Sequence, residues 1–101
     1  MVMEYRSWTA IADLPFADES KWLPFTRHLE RAHPELGPVA SWDDETTMVI
    51  VLADDHPDRA SAAARATTVI GESLRATQLS DRLPRVLEVE ATETQQAASA
   101  A

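Results

Sequence analysis

The strongest signal in the chain is an unbroken apolar run, Met48-Val49-Ile50-Val51-Leu52-Ala53, entered through Thr46-Thr47. Apolar side chains at every position, rather than at alternate ones, predict a central strand over 46–53 that is buried on both faces. On that reading a charge at Val51 has no compensating partner on either side, so Val51→Asp should destabilise strongly. Upstream, Pro38-Val39-Ala40-Ser41-Trp42 is extended in character, and Asp43-Asp44-Glu45 supplies a polar reversal, so the two runs read as a hairpin. A further strand is predicted over Glu4–Ala12, ended by Asp13-Leu14-Pro15. Leu83–Ala91 alternates, with Leu87 and Val89 against Glu88 and Glu90, as a half-exposed strand does.

Helical spacing occurs twice. Trp22, Phe25, Leu29 and Ala32 recur at three and four over 20–33, with Pro24 in the first turn and His33-Pro34 as the stop. The second helix is expected to begin at Asp54-Asp55-His56-Pro57 and to run to Thr77. Its inward stripe is read as Ala60, Ala63, Ala64, Thr67, Ile70, Gly71 and Leu74.

The order β-α-β-β-α-β predicts an α+β, ferredoxin-like sandwich: a four-stranded antiparallel sheet in the order 4-1-3-2, with two helices on one face. His33-Pro34-Glu35-Leu36-Gly37-Pro38-Val39, the acidic turn, the apolar strand, Asp54-Asp55-His56-Pro57, the alanine-rich helix and the closing Val-Glu-Val-Glu strand resemble short uncharacterised proteins common in actinobacteria. That resemblance covers most of residues 4–91 and implies the same fold, with no activity or functional residues attached. One domain over 1–91 is expected, followed by a mobile polar tail over 92–101.

Composition narrows the chemistry. The chain has 101 residues, apolar and charged fractions of 45% and 26%, and a net charge of -8, so a packed core is expected and nucleic acid is an unfavourable partner. Without cysteine there is no disulfide, thiolate nucleophile or Cys-ligated metal. Only Gly37 and Gly71 are present, too few for a glycine-rich phosphate loop. No serine lies in a nucleophile elbow, and His28 is read as a surface histidine without a catalytic partner. No apolar stretch is long enough for a membrane span, and Met1-Val2-Met3-Glu4 does not open as a signal peptide does, so a cytoplasmic protein is expected.

The acidic residues fall at two poles, because strand 46–53 separates them by about 26 Å at roughly 3.3 Å per residue. Asp43, Asp44 and Glu45 lie with Asp13, Asp18 and Glu19 at one end and read as solvated turn residues. At the other end Asp54, Asp55, His56, His33, Glu35 and Glu90 are candidate ligands for zinc, manganese or iron. No HxH, HxxxH or HExxH spacing binds two of them to one element, and the structural account, with Asp54 or Asp55 capping the second helix, is preferred. No cofactor is expected.

Trp22 fits the core stripe, whereas Trp8 and Trp42, with Val49 and Val51, are expected on the sheet face that the helices leave open. An apolar open face requires a cover, and a second copy of the chain is the simplest one. The leading reading is therefore a non-enzymatic homodimeric interaction or assembly module whose acidic loops could face a basic protein partner. The alternative is a dimeric α+β barrel enzyme or small-ligand binder resembling cofactor-independent monooxygenases, with a pocket enclosed between two sheets.

Overall fold

The computed structural model of the protein describes residues 2–92. Its elements are β1 (Met3–Ile11), α1 (Leu23–Ala32), β2 (Val39–Trp42), β3 (Met48–His56), α2 (Arg59–Ala76) and β4 (Arg85–Thr92), with short 3-10 turns at Glu19–Lys21 and Pro34–Leu36. The four strands form one antiparallel sheet in the order β2-β3-β1-β4, which is the expected 4-1-3-2 read from the opposite edge. Beyond Thr92, the tail expected over 92–101 lies outside the described residues; Thr92 itself belongs to β4.

Register decides which side of each strand faces the helices, because directly paired residues share a face. Ser7, Thr9 and Ile11 pair with Leu52, Ile50 and Met48, and all six are buried. Phe25 and Leu29 of α1 and Ala66, Val69, Ile70 and Leu74 of α2 complete the core, with Leu14 and Leu36 closing its ends. The Thr9 hydroxyl lies in this core at 0% exposure with no hydrogen-bond partner. Val51 points the other way and is half-exposed. The severe cost anticipated for a charge at Val51 therefore belongs to its neighbour Ile50.

Proline and glycine place the turns as their backbones require. Pro24 is the second residue of α1, where a missing N–H removes no intrahelical bond. Gly37 closes the 3-10 turn in the left-handed region at φ +56°, a conformation that costs glycine little.

The end of β3, the start of α2 and the regularity of β4 differ from the sequence reading. β3 continues through Asp54, Asp55 and His56, so none of these caps α2. The cap is Asp58, whose carboxylate accepts the Ser61 N–H at 2.7 Å. With the later start, α2 buries Ala62, Ala66, Val69, Ile70, Ser73 and Leu74, a stripe rotated from the one expected. In β4 a bulge opposite Trp8 and Thr9 inserts Leu87, which is 53% exposed, so that Val86 and Val89 both face the helices.

The Asp58 cap gives acid stability a definite sign. The Ser61 N–H and hydroxyl favour the ionised carboxylate and hold it below its ordinary value of 3.8. A depressed folded-state value contributes stability that is complete above the unfolded value and is lost as pH falls through the folded one. Asp58→Ala should lower the melting temperature at pH 7 by about 4–8 °C. In thermal melts from pH 7 to pH 2 the gap to wild type should close on the acid side; a constant gap would mean that the cap does not act through its charge.

Candidate functional site

The face of the sheet away from the helices is apolar at its centre. Trp8 pairs with Val51, Ala10 with Val49 and Arg6 with Ala53, and Val39 of β2 joins Val51 from the far side. Trp8, Ala10, Val49, Val51 and Ala53 are half-buried by one another, whereas Val39 is 58% exposed. Three of the four residues anticipated for this face, Trp8, Val49 and Val51, are on it. Along the β4 side the face turns polar, with Arg6 paired to Glu90, Glu88 to Trp8 and Arg85 to Ala10.

Trp42 is the exception. It pairs with Met48, whose side chain is buried in the core, so Trp42 turns to the helix side and packs against the core margin. The hairpin connection explains the difference. Five residues separate Trp42 from Met48, with the Asp43 N–H donating to the Thr47 carbonyl at 3.0 Å, and this length fixes which side Trp42 takes.

Trp42 there meets two further rings. Its centroid is 5.1 Å from Phe16 and 5.3 Å from Trp22, both edge-on, while Phe16 and Trp22 are nearly parallel at 6.5 Å. Phe16 escaped the sequence reading, since a single aromatic residue in a polar loop has no periodicity to reveal it. Its backbone is pinned at both ends: its N–H donates to the Glu45 carbonyl at 2.9 Å, and its carbonyl accepts the Trp22 indole N–H at 3.2 Å. Phe16 is nonetheless 51% exposed and lines, with Trp42, Asp44 and Glu45, an open pocket of about 270 Å³. The Thr46 N–H, and secondarily its hydroxyl, hold the Asp44 carboxyl below the usual carboxylate range, at 2.7 and 3.1 Å.

The candidate metal ligands do not share a site. Asp54 and His56 fall on the helix side of β3 with Tyr5 and Leu52, while Asp55 and Glu90 fall on the open side with Glu4 and Arg6. The sheet itself separates the two sets, since successive strand residues point to opposite faces. On the helix side His56 approaches Asp54 at 3.8 Å and His33 approaches Glu35 at 3.6 Å, as two distinct pairs. Among the described residues no three His, Asp or Glu side chains converge on one cation position.

His28 has a partner that its position in the chain does not reveal. Its Nδ1 lies 3.0 Å from the hydroxyl of Ser73, which is fully buried, and the bond ties α1 to α2 across 45 residues of sequence. A hydroxyl at 0% exposure is out of reach of a substrate carbonyl, so the pair acts as a strut between helices rather than as a nucleophile and base. Beside it, an open cleft of about 670 Å³ runs between the start of α1 and the end of α2, lined by Leu23, Pro24, Arg27, Arg31 and Thr77.

No family model, curated protein or solved structure matches the chain. No helix among the described residues is long and apolar enough to cross a membrane.

Proposed function

We propose that this protein is an interaction module that pairs with a second copy of itself through the open face of its ferredoxin-like sheet. The observation that carries this reading is the contiguous apolar centre formed by Trp8, Ala10, Val39, Val49, Val51 and Ala53 on the side that neither helix covers. Water against such a patch is unfavourable by about 25 cal/mol for each Å² of apolar surface, and a sheet face packs well on its own copy.

Size and charge both suit a copy. Strands spaced about 4.8 Å apart and rising about 3.3 Å per residue give a face of roughly 500 Å². Two such faces bury about 1,000 Å² in total, the lower end for a specific association. The chain is strongly acidic overall, yet the β4 side of this face carries Arg6 and Arg85 as well as Glu88 and Glu90. A copy laid across it in the reverse direction sets Arg85 against Glu90 at both ends of the β4 border, and Glu88 of each copy faces its counterpart between them.

Sedimentation equilibrium at about 100 μM should give the mass of two chains, a concentration suited to an interface of this area. Val51→Asp should give the mass of one chain while keeping its cooperative melt, because in the monomer that carboxylate remains hydrated and only the pair would desolvate it. A single-chain mass for the wild type at that concentration would overturn the proposal. An enclosed cavity between the paired sheets, in place of flush contact, would replace the assembly reading with that of a small-ligand binder.

A further inference from the structure

The acidic pole holds a site independent of the sheet face. Three of the chain's six aromatic residues, Phe16, Trp22 and Trp42, gather there within 6.5 Å of one another. Phe16 and Trp42 meet at 76° and form adjacent walls of a pocket of about 270 Å³ whose remaining lining is Asp44 and Glu45.

Three features set this pocket apart from ordinary turn chemistry. First, a half-exposed phenyl ring is unfavourable in water, and a mobile loop would fold it away. Here the hydrogen bonds from the Phe16 N–H to the Glu45 carbonyl and from the Trp22 indole to the Phe16 carbonyl fix the backbone that carries the ring. Second, neither the Asp44 nor the Glu45 carboxylate forms an ion pair among the described residues. Third, the two loops that form this corner, residues 12–22 and 43–47, contain Asp13, Asp18, Glu19, Asp43, Asp44 and Glu45 against a single Lys21, so the local field attracts cations from a distance.

Ring faces carry negative electrostatic potential, and a cation loses less solvation at them when it is large and weakly hydrated. Aromatic walls beside carboxylates therefore select an alkylated ammonium group over a small inorganic ion, a neutral apolar group or an anion. We infer that the corner formed by Phe16, Trp42, Asp44 and Glu45 is a binding site for an alkylammonium cation. The group can be carried by a small free molecule or by a lysine-derived side chain of a basic polypeptide.

Titration of the full chain with choline, followed by the fluorescence of the nearby tryptophans and by NMR shifts of Phe16 and Trp42, should saturate. The neutral isostere 3,3-dimethyl-1-butanol should bind at least about tenfold more weakly, as expected when attraction to ring faces and carboxylates supplies the affinity. Phe16→Ala should weaken choline binding about tenfold with an unchanged far-ultraviolet spectrum, since half of that ring is already in water. Should that variant lose its fold, Glu45→Gln serves instead, weakening choline and leaving the isostere unaffected.

A short basic peptide bearing one trimethyl-lysine separates the two sources. Tighter, salt-sensitive binding than that of choline identifies a polypeptide side chain, and equal affinity identifies a small free cation. Absence of saturation with both choline and the peptide, or equal affinity for choline and its isostere, overturns the inference.

Discussion

An Ile50→Asp chain is expected to show no cooperative thermal transition at neutral pH. Ile50 is 1% exposed in the centre of the sheet, paired to Thr9 on one side and Ala40 on the other, and covered by the helices. A carboxylate there loses its water and gains no cationic partner, because among the described residues the buried polar groups of the core are only the uncharged hydroxyls of Ser7, Thr9, Thr26 and Ser73. The cost, about 4 kcal/mol or more, approaches the whole stability of a domain of this size. Far-ultraviolet circular dichroism on heating tests it. A sigmoidal melt near the wild-type temperature would mean that β3 is not the central strand. Val51→Asp, one residue away, should melt cooperatively, and this contrast between neighbours reads out the facing of β3 directly.

Thr9→Val is expected to act in the opposite direction. The Thr9 hydroxyl is fully buried with no hydrogen-bond partner, so folding strips its water and returns nothing. Valine keeps the shape and the β-branching and removes the orphaned group. The gain should be about 1–2 kcal/mol, a rise of roughly 4–8 °C in melting temperature for each kcal/mol. Urea unfolding with an unchanged slope and a higher midpoint would establish it. An unchanged or lower midpoint would show that the hydroxyl finds a partner in solution.

The order of elements was legible because each rests on a strong local signal: the unbroken apolar run of β3, the threefold and fourfold spacing of Trp22, Phe25 and Leu29, and the prolines that bound α1. Facing was less legible. In β1 the side carrying Trp8 and Ala10 is more apolar than the side carrying Ser7 and Thr9, yet the latter is the one buried. Two small hydroxyl residues fit beneath α2 where an indole would not, a matter of volume that hydropathy does not record. In α2, alanines at 60, 62, 63, 64 and 66 give almost no contrast around the helix, so the inward stripe was fixed by tertiary contact. Asp54, Asp55 and Asp58 are equally good caps on paper. The strand runs on to His56 and leaves only the last of them at the helix start.

The same limits governed the candidate sites. The placement of Trp8, Val49 and Val51 on the open face follows from the alternation of strand residues once the register of β1 and β3 is set. Trp42 required the length of the hairpin connection, and the pairing of His28 with Ser73 required the packing of two helices distant in sequence. The proposed metal ligands were grouped by which end of the sheet they occupy, and the sheet then divided them by side.

The borders of the sheet bear on how the protein behaves in crowded solution. β2 presents only four residues of backbone, and on β4 the extra residue Leu87 interrupts the regular series of groups that an incoming strand would need. Among the described residues neighbouring molecules find no long straight margin on which to extend a ribbon, which disfavours fibril growth from the borders of the sheet.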